Sequence, residues 1–415
     1  VDRAVRGQPR APVAECTRPA GGSSGAGLMA EEPSGAWQLP GELVMLRDTV
    51  RRFMATHVHP LEEKLDHDAV GLPREQLVAL QAKARELGLW ALQTPAEYGG
   101  AGLSVLGQVV VAEEAAKCRM GAFFPALGAF GGNPPNIMFK ASPEQFEKYA
   151  RPVIDGVMSK AYTAITEASG GSDPARAIKL RATRDNGGYV LNGAKMWISH
   201  APHADWGVVY ARTGEGRQGI SAFILEKDTP GVTFSRIPVM ASFAPYELHF
   251  DNVRVPIEQL IGREGQGFSL ATEFLVHGRI VYGAGPIGIA QSALDMTCQW
   301  AKDRDVFGGK LADKQGVKWM LADSEVDLRA ARLLIYQAAW NADLGRDVRV
   351  DASAAKMFAT EAAYRVLDRC IQIHGALGIS TELPLERWFR DLRVKRLGEG
   401  ATEVQREIIA RSLVR

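Results

Sequence analysis

No two of the four cysteines, Cys16, Cys118, Cys298 and Cys370, form a CxxC pair, and they are too scattered for a disulfide framework or a zinc site. Most fall in apolar periodic segments, so they read as packed thiols in a reducing compartment. An excess of one charge is lacking too. The chain has 49 Lys+Arg against 48 Asp+Glu, a net charge of +1, with both signs interspersed, so neither nucleic acid nor an anionic membrane surface meets a basic face. No apolar run approaches the roughly 20 residues that span a bilayer, which predicts a soluble protein without membrane insertion. No G-x-G-x-x-G follows a predicted strand, which removes the usual support for a Rossmann dinucleotide site. No stretch repeats at a fixed period, as a solenoid would require. A nucleotide cofactor would need another cradle.

What is present falls into segments. Residues 1–28 are rich in Gly, Pro, Ala, Ser and Arg and poor in large apolar side chains, a composition that cannot bury enough surface to order itself. They read as a disordered leader, with Met29 a candidate start; Asp2 and Glu15 and the missing amphipathic stripe count against a transit peptide. From residue 29 to 159 the period is helical: Leu43, Leu46, Val50, Phe53 and Met54, then Leu77, Leu80, Ala84 and Leu87. The adjacent acids Glu113 and Glu114 point to different helix faces, a poor arrangement for a shared two-carboxylate site, and read as surface or helix-terminal charges.

Residues 160–267 carry short strand signals. Tyr189 to Ile198 reads as two strands joined by Asn192-Gly193, a strong hairpin dipeptide. Tyr246, Leu248 and Phe250 alternate onto one face. Five or more strands at this spacing predict a small antiparallel barrel or sandwich. Helical period returns from residue 268 to 415. Val317, Leu321, Leu328, Ala331, Ile335 and Ala338 make one stripe, and Phe358, Ala362, Val366, Cys370 and Ile373 another. The expected fold class is therefore α+β: an N-terminal helical domain, a small middle β domain and a C-terminal helical bundle.

Several residues could carry chemistry. Glu399 stands between Gly398 and Gly400, where a break between helices and the absence of neighbouring Cβ atoms let a carboxylate approach a ligand. Alone, it reads as a solvated loop acid; Thr402 is a fair N-cap for the helix that follows. Thr166 to Asp173 packs hydroxyls and small residues into one loop after a strand, able to offer N–H groups to a phosphate or a polar ring edge. Trp197 beside Ser199 ends the Asn-Gly strand pair, either stacking on a planar cofactor or filling a core. Arg304 ends an amphipathic helix, complementing its dipole or gripping a pyrophosphate. His374 by itself reads as a satisfied structural histidine.

Together these segments resemble the acyl-CoA dehydrogenase family of flavoproteins, from about Leu43 to Arg415. The family's Thr-Glu followed by small residues and Ser-Asp is matched by Thr166 to Asp173. Its Asn-Gly-x-Lys-x-Trp-Ile-Ser/Thr is matched by Asn192 to Ser199, and its Arg-x-x-Phe-Gly by Arg304 to Gly308. Asp251 to Pro256 also looks like the family, as do Gln372 to Gly378, Pro384, Arg390-Asp391 and Glu399-Gly400.

The resemblance implies a four-helix C-terminal bundle, FAD bound non-covalently between the β domain and that bundle, and an acyl-CoA substrate. Glu399 would be the α-proton base and trans-2-enoyl-CoA the product, chemistry of the kind used in fatty-acid β-oxidation. Thr166 and Ser199 would bond the isoalloxazine edge with Trp197 beside it. Ser172 would lie near the pyrophosphate or CoA. Arg304, Phe307, Gln372 and Gly375 would reach the FAD of a neighbouring subunit in a homodimer or homotetramer, while Ala401 and Glu403 would also line the cofactor. Arg279 and Gly400 would face substrate. The resemblance further implies an electron-transfer flavoprotein as electron acceptor and a bacterial-type cytoplasmic location, with the mitochondrial matrix as alternative. Oxidase or monooxygenase chemistry on the same fold, and a non-catalytic acyl-CoA-binding paralogue, stay open. Three positions depart from the family pattern: Ala401 and Val306 lack hydroxyls that can contact FAD, unless Thr402 substitutes for the first, and Val276 stands where some members carry an acid.

Overall fold

The computed structural model describes residues 38–158 and 161–414, apart from the side chains of residues 273 and 274. The leader and Cys16 lie outside the described residues. The N-terminal region carries α1 (Gly41–Phe53), α2 (Arg74–Glu86) and α3 (Val105–Ala115). The C-terminal region carries α4 (Gly267–Asp303), α5 (Gln315–Asp343), α6 (Arg349–His374), α7 (Leu385–Lys395) and α8 (Thr402–Leu413). Alanines on α6 at positions 355, 359, 362 and 363 are fully buried against Ile280, Ala284 and Ile287 of α4 and Ile335 of α5. Such small side chains let long helices approach closely. Leu106 and Val109 of α3 and Trp388 and Leu392 of α7 enter the same core. Each buried Leu or Ile in it stabilises the fold by roughly 1.5–3 kcal/mol.

Between the helical regions lies a mixed eight-stranded sheet: β1 (Ala161–Ala164), β2 (Arg181–Asp185), β3 (Gly188–Ile198), β4 (Trp206–Arg212), β5 (Ile220–Glu226), β6 (Val232–Arg236), β7 (Tyr246–Pro256) and β8 (Leu260–Ile261). The path β6-β7-β3-β2-β4-β5-β8 is open, with β1 added parallel to β4, so no closed barrel forms. Strands β4 and β5 are buried on both faces. Trp206, Val208 and Tyr210 meet Phe146, Tyr149 and Phe268 on one side. Val209, Ala211 and Phe223 meet Tyr189, Leu191, Leu248 and Phe250 on the other.

Three local expectations are corrected. Asn192-Gly193 is not a hairpin turn: β3 runs through it as one 11-residue strand with a register shift between Leu191 and Gly193 against β7. Asn192 Oδ1 there accepts from Asn252 N at 2.8 Å, so the dipeptide makes a bulge. The tight turn is Asn186-Gly187, between the paired residues Asp185 and Gly188. Glu113 and Glu114 are not surface charges. Both are buried, Glu113 paired with Arg332 at 2.8 Å and Glu114 with Arg51 at 2.7 Å and Lys117 at 2.8 Å. Their opposite orientations hold, because each serves a different helix. Thr402 is the first residue of α8, and Ala401 occupies the N-cap without a side-chain hydrogen bond.

Cys118 and Cys370 are buried and Cys298 half-buried, all free thiols. Among the described residues, no group of His, Cys, Asp and Glu could hold a metal ion and no helix is long and apolar enough to cross a membrane.

Candidate active site

Helix α7 ends because Gly398 follows Leu397 with no side chain to pack, and the chain then turns through left-handed backbone at Glu399 (φ 54°) and Gly400 (φ 91°) before α8 begins. A non-glycine residue in that region is strained and needs outside support. Arg279 of α4 donates from Nε to the Glu399 carbonyl at 3.1 Å. Gln405 Nε2 donates to the same oxygen at 3.1 Å and to the Gly400 carbonyl at 3.0 Å. Lys356 of α6, fully buried, donates to the Gly400 carbonyl at 2.8 Å and to that of Arg396 at 3.3 Å.

The main chain of the turn is thus clamped by three side chains, and the Glu399 carboxylate is left without a hydrogen-bond partner among the described residues. Among the described residues its own N–H donates no hydrogen bond either. Solvent reaches the Glu399 side chain through an open face, yet protein surrounds it on the others. That crowding raises its pKa above the usual carboxylate range, opposed by the positive charges of Arg279, Lys356 and Lys395.

Next to the turn is an aromatic wall. Tyr282, one helical turn after Arg279, lies so close to Gly398 that a Cβ there would stand 2.2 Å from its hydroxyl. The Lys395 ammonium sits 4.4 Å from the Tyr282 ring centroid and 5.4 Å from that of Phe123. Phe123 and Phe124 both contact Phe243, which packs 4.6 Å from His200. The wall therefore leads from Glu399 to the end of β3. The loop carrying Phe243 is fixed to α7 because buried Asp391 accepts from Ser242 N and Oγ, both at 2.7 Å.

At the end of β3, Trp197 is half exposed and also left-handed (φ 66°). It is not a core residue. Ser199 is exposed beside it. Thr166 is brought to the same place, its carbonyl accepting from Met196 N at 2.9 Å. Beneath, Lys195 and Glu167 form a buried ion pair at 2.8 Å. Lys195 also donates to the Ile165 carbonyl at 2.9 Å, and Glu167 accepts from the N–H groups of Lys179 and Leu180 at 2.7 and 3.0 Å. Burial lowers Lys195 to about 8, against the pull of Glu167. This pair is what pins the Thr166 loop to β3. Sequence reasoning quoted both residues inside motifs and gave neither a role, although a Lys and a Glu in otherwise apolar and small-residue surroundings were the available signal.

Other expected site residues lie apart. Arg304, at the end of α4, is exposed with its guanidinium 5.6 Å from the Trp300 ring, and Trp300 stacks on buried His374 at 5.4 Å. His374 is structural, its Nδ1 2.9 Å from the Cys370 carbonyl oxygen, and burial lowers its pKa. Gln372 and Gly375 are exposed beside it, and Phe307 is 99% exposed in a short hairpin that includes Val306. At a rise of about 1.5 Å per residue, Arg304 is roughly 35 Å along α4 from Arg279, so one chain does not join these two groups at one site. Glu403 is exposed, 3.9 Å from Arg406. The buried Thr402 hydroxyl turns inward to donate to Glu361 at 2.8 Å, so it does not replace the hydroxyl missing at Ala401.

Ser172 is exposed and next in sequence to Asp173, which with Arg176, Lys179, Arg181, Arg217, Arg411 and others lines a basic cleft of about 960 Å³. Arg212 in that cleft is spent on carbonyls of Ala175, Ile178, Gly214 and Gly216. Arg176 stands 3.6 Å from Asp173 and Arg411 is paired with Glu407 at 2.6 Å, which leaves Lys179, Arg181 and Arg217 without an acid partner among the described residues.

Residues 40–157, 163–253 and 265–414 match the models for the acyl-CoA dehydrogenase N-terminal, middle and C-terminal domains. The chain is 34% identical over 387 residues to the probable acyl-CoA dehydrogenase FadE25 of Mycobacterium tuberculosis, covering 91% of this chain and 97% of that one. Its fold is similar to that of butyryl-CoA dehydrogenase from Megasphaera elsdenii (TM-score 0.80, 31% identity, 91% and 100% coverage). It is also similar to the FAD complex of PigA (TM-score 0.81, 26% identity, 91% and 99% coverage).

Proposed function

The chain belongs to the acyl-CoA dehydrogenase family, and on that premise we propose that it binds FAD and oxidises an acyl-CoA thioester between Cα and Cβ to the trans-2-enoyl-CoA, with Glu399 as the base. The observation that carries the reading is the Glu399 turn. Its main chain is clamped by Arg279, Gln405 and Lys356, while neither the carboxylate nor the N–H has a hydrogen-bond partner among the described residues.

An α-proton is too weak an acid for a carboxylate in water, so the thioester carbonyl must be polarised as the proton leaves. The unengaged N–H of Glu399 is a fixed donor for that oxygen; a preorganised donor of this kind is worth roughly 3–4 kcal/mol. Crowding that already raises the pKa of Glu399 increases further when substrate excludes water, which makes it a stronger base. FAD, when bound, supplies the acceptor for the hydride leaving Cβ.

The residues present fit that cofactor. An exposed indole at Trp197 offers a flat surface, and Thr166 and Ser199 offer hydroxyls beside it for a polar ring edge. Arg304, at the far end of α4, and Gln372, near the end of α6, would hold the pyrophosphate and adenosine part of a neighbouring subunit's FAD. That makes an oligomer part of the site. The basic cleft beside Ser172 suits the phosphates of CoA, and an electron-transfer flavoprotein would take up the electrons.

The test is anaerobic mixing of the purified flavoprotein with a panel of acyl-CoAs while the visible flavin band is followed. Substrate should bleach it, and Glu399→Gln should keep FAD and abolish bleaching. A FAD-replete protein that no thioester bleaches, or an active Glu399→Gln variant, would overturn the reading.

A further inference from the structure

Lys395 is the last residue of α7, four positions before Glu399, and is half-buried. Its ammonium lies between two aromatic rings, Tyr282 at 4.4 Å and Phe123 at 5.4 Å. Among the described residues no oxygen stands within hydrogen-bond distance of it, so its three N–H donors are unspent.

Its neighbours show why this is not a structural lysine of the ordinary kind. Lys356, which faces the other side of the same turn, spends its donors on the carbonyls of Gly400 and Arg396. Asp391, the nearest acid on α7, is bonded twice to Ser242 and stands 3.8 Å from Arg387. Glu399 and Asp391 act on Lys395 only through space, and burial brings Lys395 down to about 8, which leaves it mostly protonated at neutral pH.

A simple alkyl chain laid against this ammonium would strip water from it and return nothing. A carboxylate would accept charge-assisted hydrogen bonds from it, while Phe123, Tyr282 and Phe243 line the way with apolar surface for methylenes. We propose that Lys395 reads the acyl chain, and that the preferred thioester carries a carboxylate on that chain beyond the reacting carbons. The proposal rests on the reading of Glu399 as the base, because only that places the acyl chain beside Lys395.

The experiment compares kcat/KM of the FAD-loaded enzyme for glutaryl-CoA and adipoyl-CoA with that for butyryl-CoA and hexanoyl-CoA, using an artificial electron acceptor. A hydrogen bond to a charged group is worth about 10- to 150-fold, so the carboxylated thioesters should lead by at least about tenfold. Lys395→Met should erase or invert that lead, and Lys395→Arg should keep part of it.

An alkyl preference in the unaltered enzyme, or a ratio unchanged in Lys395→Met, would overturn the proposal. If Lys395→Met does not retain FAD, the preference of the unaltered enzyme and the Lys395→Arg variant decide. Turnover of the alkyl thioesters alone would leave the dehydrogenase reading standing without this inference, whereas turnover of neither class would refute both.

Discussion

Arg279 holds Glu399 by the main chain, its Nε donating to the Glu399 carbonyl at 3.1 Å. The arginine therefore sets where the base stands, and its charge leads those that pull the carboxylate's pKa down.

Removing that clamp should misplace the carboxylate while sparing the cofactor. Arg279→Met is expected to lower kcat by about 10- to 100-fold, the scale of an ångström-size misplacement, with FAD content unchanged by absorbance. Arg279→Lys should recover part of the loss, since an ammonium can still donate to the carbonyl.

The pH dependence follows from the sign of the Glu399 shift. Crowding raises its pKa, and the cations Arg279, Lys356 and Lys395 pull it down. The base works ionised, so kcat/KM should fall as pH drops through a value above the usual carboxylate range. Deleting the positive charge in Lys395→Met should move that acid limb to higher pH. A limb that stays in place or moves down would show that Lys395 does not act on the base.

Gly398 is where the turn meets Tyr282. A Cβ would stand 2.2 Å from the tyrosine hydroxyl and 3.0 Å from Cζ. Gly398→Ala should cost about 1–3 kcal/mol, as overpacking does, and depress kcat. Adding Tyr282→Phe removes the nearer clash and should restore part of the rate.

The Glu167–Lys195 pair, almost fully buried, should matter for the flavin edge through the Thr166 loop. Breaking a buried pair from one side costs about 3–5 kcal/mol. Lys195→Met is therefore expected to destabilise the fold by that much in urea denaturation and to lower FAD occupancy. The double variant with Glu167→Gln should recover part of the stability.

Mixing subunits tests whether Arg304 serves a neighbour. Glu399→Gln and Arg304→Glu should each be inactive alone, the second through poor FAD retention. Co-expressed, they should regain measurable activity, because sites that pair an intact Glu399 with a neighbour's intact Arg304 form only in mixed oligomers. No recovery in a demonstrated mixed oligomer would place Arg304 outside the neighbour's site.

The helical stripes, the alternation in β7 and the Gly-Glu-Gly turn were legible in the sequence because periodicity and glycine placement act locally. Asn192-Gly193 misled because a strand partner can turn a hairpin dipeptide into a bulge, and β7 did so through Asn252. Glu113 and Glu114 misled because their partners Arg332 and Arg51 lie on other helices. Trp197 was undecided between core and cofactor face until its exposure and left-handed backbone were seen.

By itself the sequence determined the three regions and marked Glu399 as a carboxylate free of neighbouring Cβ atoms, since composition, period and turn chemistry need no partner to be read. Only the tertiary structure decided that Arg279, Gln405 and Lys356 converge on that turn, that Thr402 faces Glu361, and that Lys395 stands beside Tyr282 without an acceptor among the described residues. Hydrogen bonds and burial are properties of groups brought together from distant positions, and the acidity of Glu399 comes from those groups.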